Sequence, residues 1–161
     1  MVVDPEELRL AMRHWVTGIS VVTTQYKGVK HGMTVSSFSS ASLSPPLVVV
    51  SLEQTTRTHN LISKSGQFGI TILSSSQQDI SECFSGGICD EENRFANIES
   101  YTLITGVPFI PGGLACFDCR VVSKHTADTH TLFFGEVLAV QSGDGRSPLI
   151  HYNRAYRKLQ E

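Results

Sequence analysis

Apolar and β-branched residues in this chain come in short runs separated by clusters of Gly, Pro, Ser and Asp, which is the rhythm of strands. Ile19 to Gln25 is β-branched and strand-like, and Lys27-Gly28-Val29-Lys30 makes a tight connection into a second strand around Gly32. The two predict a hairpin. Leu47 to Leu52 reads as a buried strand by its length and β-branched content. Phe68, Ile70 and Ile72 alternate with Gly69, Thr71 and Leu73 in another. Gly106-Val107-Pro108 and Pro111-Gly112-Gly113 punctuate a loop. After it come strands over Leu114 to Lys124 and Thr131 to Val140, a turn at Gly143-Asp144-Gly145, and a short strand over Pro148 to Tyr152.

Helical signals are fewer. Asp4-Pro5-Glu6-Glu7 combines an N-cap acceptor, a proline at the first helical position and acids in the first turn. Leu8, Ala11, Met12 and Trp15 then share one face, opposite Arg9 and Arg13. The expectation is a helix packed on the domain and ending near Thr17-Gly18. Thr58 to Ser65 predicts a short helix stopped by Gly66. Ser76 with Asp79 has the spacing of a capping box, opening a helix through Ile80, Cys83 and Phe84 that halts at Gly86-Gly87. From Gly87 to Thr102 the pattern is weak, with a turn of helix around Asn93 to Ala96. Many strands, closely spaced turns and few helices argue for an antiparallel barrel or sandwich over residues 1–161 as one domain. Strand–helix alternation of the doubly wound kind, a GxGxxG and a P-loop are all absent from the sequence.

Composition narrows the partners. With 161 residues, 40% hydrophobic, 17% charged and a net charge of −2, the chain has no basic cluster to suggest nucleic acid or an anionic membrane. Asp4, Glu6 and Glu7 stand where a signal peptide would carry its basic and apolar regions. No apolar run is long enough for a helical span, so the expectation is a cytoplasmic protein. Four cysteines (Cys83, Cys89, Cys116 and Cys119) are then expected to be reduced. Cys116 and Cys119 form a CxxC, but their surroundings read as a strand, where residues three apart face opposite sides. That suits neither metal chelation nor a thiol pair, and no metal site is expected.

The candidate chemistry lies between Gly32 and Ile62. Thr34, Ser36, Ser37, Ser39, Ser40, Ser42 and Ser44 crowd a strand-like segment that Pro45-Pro46 breaks. Beyond the apolar run a second polar cluster follows, Thr55, Thr56, Arg57 and Thr58. Hydroxyls, backbone N–H groups and a guanidinium are what a phosphate monoester needs, since hydrogen bonds to an ionised acceptor are roughly twice as strong as neutral ones. The stretch reads as two strand ends meeting around an anionic cofactor.

This stretch resembles the first signature of the short-chain flavin reductases, through Gly32, Thr34, Ser36, Ser37, Phe38, Ser42, Pro45, Pro46 and Leu47 to Leu52. The likeness continues through Phe84-Ser85-Gly86, then Asn93-Arg94-Phe95, where Asn93 replaces an acid common in the family, and Leu114-Ala115 with Phe117-Asp118-Cys119. Asp128-Thr129-His130 followed by an apolar strand ending Gly135-Glu136-Val137 matches the second signature, with Asp-Thr-His for Gly-Asp-His. Pro148 to Tyr152 with Arg154 and Tyr156 matches the closing motif. The resemblance implies a mostly β, antiparallel Greek-key split β-barrel of the FMN-binding type with a few short peripheral helices. It also implies an NAD(P)H:flavin oxidoreductase that supplies reduced FMN or FAD to a partner monooxygenase, using NADH or NADPH.

By position, the resemblance implies that Thr34, Val35, Ser36 and Ser37 lie along the isoalloxazine and ribityl chain. Ser51, Leu52 and Glu53 would border the ring, and Thr56 with Arg57 would hold phosphate, while Phe84 belongs to the middle segment of the site. Glu53 brings a charge to a ring edge that suits a neutral or amide side chain. His130 would lie beside the flavin and position the nicotinamide, and Tyr152, Arg154 and Tyr156 could stack on or charge-pair the dinucleotide. The cofactors carry the chemistry and the protein supplies geometry, so no catalytic dyad is needed. A non-catalytic FMN-binding electron carrier on the same barrel is the competing reading. An open barrel leaves apolar surface uncovered, so a homodimer is expected.

Overall fold

The computed structural model describes residues 3–86, 93–144 and 147–159. Among these described residues, ten strands and three short helices follow in the order α1 (Pro5–Met12), β1 (Thr17–Gly18), β2 (Ser20–Tyr26), β3 (Val29–Val35), β4 (Ser39–Leu43), β5 (Pro46–Glu53), α2 (Arg57–Ser65), β6 (Gln67–Ile72), α3 (Gln78–Phe84), β7 (Ala115–Ala127), β8 (His130–Ser142), β9 (Ile150–Tyr152) and β10 (Ala155–Arg157). Seven strands form one antiparallel sheet in the order β3-β2-β6-β7-β8-β5-β4, and β1-β9-β10 form a small second sheet. The large sheet's edges, β3 and β4, are consecutive in the chain yet not paired with each other, so the barrel is split at that seam. The Ser37 hydroxyl stitches it by donating to the Ser51 carbonyl at 2.7 Å.

Local chemistry explains the elements. The β2–β3 hairpin turns on Lys27 and Gly28, both at positive φ (48° and 82°), the two-residue turn whose twist matches its strands. Helix α1 starts as its sequence predicts, with the Asp4 carboxylate accepting from the Glu6 N–H at 2.8 Å and Pro5 at the first turn. Helix α2 ends on Gly66 in the left-handed region, whose N–H donates to the Ile62 carbonyl.

The barrel core gathers Val22, Val48, Val50, Leu52, Phe68, Ile70 and Phe133, capped from α2 by Ile62. β5 is half-buried, not wholly buried: Val48, Val50 and Leu52 face inward while Val49 and Ser51 sit at intermediate depth, the alternation of a one-sided strand. A second cluster of Ile19, Val21, Leu73, Phe84, Phe95, Ile110 and Leu149 packs outside β2 beneath α3. Buried Asp118 pins the loop after Tyr101 by accepting from the backbone N–H groups of Ile104 and Thr105 and from the Thr105 hydroxyl.

Four expectations are corrected. Helix α1 buries no residue: Leu8, Met12 and Trp15 are exposed, Trp15 by 67%, so none of the described residues covers its apolar face. The helix stops at Met12, and Thr17–Gly18 is a strand. The Ser76–Asp79 capping box does not form. Helix α3 begins after Gln77 without a side-chain cap, since the Ser76 hydroxyl pairs with that of Ser74 while the Gln77 side-chain Oε1 accepts from the Ser74 N–H. The Ser-rich run is two strands, β3 and β4, separated at Ser36–Phe38. Residues 93–96 do form a turn, with the Ala96 N–H on the Asn93 carbonyl. Gly87, Cys89, the rest of the stretch to residue 92, and Gly145 lie outside the described residues.

The glycine of the Gly135-Glu136-Val137 triplet has a packing reason. A methyl group there would collide with the Phe68 ring and approach Cys119 Cβ to 2.9 Å. Gly135→Ala is therefore expected to cost about 1–3 kcal/mol by overpacking, read as a lower midpoint in urea with an unchanged slope. An unchanged midpoint would show that Phe68 has room to move.

Candidate functional site

The site is built where β5 runs into α2. After Glu53 the chain turns through Gln54–Thr56, and the Thr56 hydroxyl caps α2, donating to the Glu53 carbonyl at 2.8 Å and accepting from the His59 N–H at 3.3 Å. The Thr55 hydroxyl donates to a Glu53 carboxylate oxygen at 3.0 Å. Gln54 ties the neighbouring β7–β8 turn to this corner. Its side-chain amide donates to the Asp128 carbonyl at 2.7 Å and reaches the His130 carbonyl at 3.3 Å, and its backbone N–H donates to Thr129. The β5–β8 register then sets His130 directly opposite Glu53, although 77 positions separate them in sequence. His130 is exposed, with the Thr129 hydroxyl 3.0 Å from Nδ1.

Beside this corner lies a cavity of about 270 Å³ whose lining includes Thr34, Glu53, Thr56, Arg57, Ser85 and Arg94. Thr56, Arg57 and Thr58 all border it, so the positive end of the nine-residue α2 contributes there. The walls are tied down by hydrogen bonds. His31 Nδ1 lies 2.8 Å from the Thr58 hydroxyl, and the Thr34 hydroxyl donates to the Ser81 carbonyl at 2.7 Å. Arg94, only 6% exposed, donates to the carbonyls of Gly32 at 2.9 Å and Phe84 at 3.1 Å. Among the described lining residues are two guanidinium groups and one carboxylate. That balance and the helix terminus fit a phosphate monoester, with Arg57 as its fork.

The residues singled out from sequence fall into groups. Thr34, Glu53, Thr56, Arg57 and Phe84 line the cavity, Phe84 as a fully buried ring packed on Phe95 at 5.1 Å. Thr56 spends its hydroxyl on the helix cap, which leaves Arg57 and the helix backbone as the anion-facing groups. Ser36 and Ser37 are exposed at the seam and Ser51 borders it, whereas Val35 and Leu52 turn their side chains into the core and offer only backbone. Tyr152 and Arg154 stand on the β9–β10 hairpin, and neither lines the cavity; Arg154 sits in its turn at φ 63°. The Tyr156 hydroxyl lies 2.9 Å from that of buried Ser81, which anchors the chain's end to α3 behind Thr34.

Sequence reasoning passed over Arg94, Gln54 and His31. The arginine within the Asn93-Arg94-Phe95 segment was a usable signal for the first, while the other two owe their places to register. His59 is a further neighbour: its Nε2 lies 2.9 Å from the Thr131 hydroxyl and its ring 5.1 Å from that of Phe133. Burial first, and then Lys124, lowers its pKa and favours the neutral imidazole. The two CxxC thiols lie apart, Cys119 in the barrel core and Cys116 in the cluster under the Tyr101 loop. Burial, followed by the charge of Asp118, pushes the Cys119 thiol up to about 12 and leaves it a poor nucleophile.

Comparison with known proteins agrees with this geometry. The flavin reductase like domain matches residues 12–160. The chain is 40% identical to "FMN reductase (NADH) SmoA" of Agrobacterium fabrum, over 97% of this chain and 87% of that protein. It is 32% identical to "Flavin-dependent monooxygenase, reductase subunit HsaB" of Mycobacterium tuberculosis, over 98% of this chain and 84% of that one. Among solved structures, the Streptomyces globisporus NADH:FAD oxidoreductase SgcE6 in complex with NAD and FAD fragments superposes with a TM-score of 0.90. That match has 26% identity and covers 99% of this chain and 97% of the other. With the barrel, the seam and the arginine-lined cavity in place, the chain belongs to the flavin reductase-like family.

Proposed function

We infer that the protein is an NADH-dependent flavin reductase that passes hydride from NADH to FMN or FAD and delivers the reduced flavin to a separate flavin-dependent monooxygenase. The observation that carries the reading is the Glu53–His130 pairing, which sets an exposed histidine opposite a residue that lines the cavity of Arg57 and the α2 N-terminus. The flavin accepts the hydride; the chain binds, orients and shields. Arg57 and the α2 N-terminus hold the phosphate end, with Arg94 bracing the wall beside them. Thr34, Ser36 and Ser37 border the ribityl chain and ring from β3 and the seam, and Ser51 borders the ring from β5. The side chain of His130 positions the nicotinamide over the exposed ring face, where effective molarity supplies most of the advantage. The open seam supports a reductase over a sealed electron carrier, because a second ring needs access. NADH is preferred to NADPH in this reading because the relatives are named for NADH.

The exposed face of α1 supports a homodimer. Met12, Trp15 and Val16 line a groove of about 600 Å³ with Ser36, Ser37 and Phe38, so a second copy seated there would cover apolar surface next to the flavin seam. Light scattering at micromolar protein is expected to give twice the chain mass; a monomer mass with and without flavin contradicts this.

Two substitutions divide the site. Arg57→Ala is expected to raise the dissociation constant of FMN by about tenfold or more, from about 1.5–3 kcal/mol of charge-assisted binding, while riboflavin, which lacks the phosphate, changes little. Equal weakening of both places Arg57 away from the phosphate. His130→Ala is expected to leave FMN affinity nearly intact and lower kcat/KM for NADH by about ten- to a hundredfold, or about 1.4–2.8 kcal/mol. Steady-state NADH oxidation with added FMN or FAD tests the activity itself. Wild-type protein no faster than free flavin would end the reductase reading.

A further inference from the structure

His130 is presented by a two-residue turn. Ala127 pairs with His130 at the end of the β7–β8 ladder, so Asp128 and Thr129 make the connection. Asp128 takes φ 51°, in the left-handed region, at the position where the family's second signature carries glycine. Aspartate visits that region less readily than glycine, and both turn residues are exposed, so no packing holds them. The hold comes from across the sheet. Among the described residues, the hydrogen bonds that reach Asp128 and Thr129 from outside their own hairpin all come from Gln54.

We propose that Gln54 is a positioning residue for hydride transfer: its side-chain amide clamps the turn before His130 and so fixes the imidazole that holds the nicotinamide. The proposal rests on the flavin reductase reading and on His130 as the group that positions that ring. The amide nitrogen of Gln54 carries two N–H groups, and two carbonyls on the same turn receive them, Asp128 at 2.7 Å and His130 at 3.3 Å. The Gln54 backbone N–H holds the carbonyl between them, that of Thr129, at 3.0 Å. One residue thus binds three consecutive carbonyls. The Thr129 hydroxyl, 3.0 Å from His130 Nδ1, passes the restraint to the ring. Gln54 follows directly on β5, so the clamp is anchored to the strand whose register with β8 the core maintains. It does not line the cavity of Arg57, so the flavin's phosphate end is outside its reach. Without the amide the exposed hairpin end pivots, and a displacement of about 1 Å between reacting rings can cost about a hundredfold in rate.

Gln54→Glu keeps the size of the side chain but sets oxygens against both carbonyls, and Gln54→Leu removes the donors. Gln54 is half-buried outside the core and its backbone N–H survives in both variants, so the fold is expected to persist; the midpoint in urea checks this. For each variant, alone and combined with His130→Ala, kcat and KM for NADH are measured with FMN as acceptor, together with the FMN dissociation constant. The expected result is a kcat lowered about tenfold in either single variant, with KM for NADH and FMN affinity changed less than about twofold. Added to His130→Ala, either substitution lowers kcat no further, because the residue that Gln54 serves is gone. A merely structural role would lower kcat equally in both backgrounds. Wild-type kcat in Gln54→Glu would overturn the proposal, as would a tenfold loss on top of His130→Ala or a loss confined to FMN affinity. Those results leave the reductase standing. Wild-type kcat in His130→Ala would overturn the proposal together with the role of His130, and wild-type protein no faster than free flavin would remove the reductase reading beneath both.

Discussion

The antiparallel pairing of β5 with β8 is the constraint on which both core and site depend. Its register runs from Leu47↔Glu136 through Val48↔Gly135 and Val50↔Phe133 to Glu53↔His130. A slip by one residue would turn Val48, Val50 and Leu52 out of the barrel and drive Phe134 toward the space Phe68 fills above Gly135. The core therefore holds the register, and the register sets His130 opposite Glu53, a residue of the cavity lining.

The cavity is preorganised by groups that have no chemistry of their own. Arg94 bridges the carbonyls of Gly32 and Phe84, joining β3 to the end of α3, and its burial is offset by those charge-assisted bonds. Ser81 holds Thr34 on one side and Tyr156 on the other, so the tail of the chain braces the site strand from behind. Gln54 fixes the turn before His130 from the opposite strand. Each contact restrains a wall that would otherwise have to be ordered when ligand binds, a cost of the kind preorganisation removes.

Much of this was legible in the sequence because strand and turn signals are local. The β2–β3 hairpin, the Gly66 stop and the Asp4-Pro5 start each depend on a few adjacent residues, and each appears where the pattern puts it. Of the residues the signatures marked, Thr34 and Arg57 line one cavity, and the β5–β8 register sets His130 opposite Glu53 of the same lining. What failed was local chemistry with two possible uses. The Ser76–Asp79 spacing fits a capping box, yet Ser76 pairs with Ser74 instead; the Thr56 hydroxyl reads equally as phosphate ligand or helix cap, and serves as the cap. The amphipathic face of α1 was legible as apolar, but an apolar face does not say which surface covers it. The ties made by Gln54, Ser81 and Asp118 join residues far apart in sequence, where tertiary register selects the partner and no periodicity announces it.

The account's central claim is that the flavin's phosphate end lies at the start of α2 with its ring along the Ser37–Ser51 seam. A crystal structure of the FMN complex tests it most directly. The account predicts the phosphate within hydrogen-bond reach of the Arg57 guanidinium and the ring edge beside Ser37 and Ser51, with His130 near its open face. A phosphate seated instead in the groove beside Trp15 and Phe38, with the ring away from His130, would contradict it.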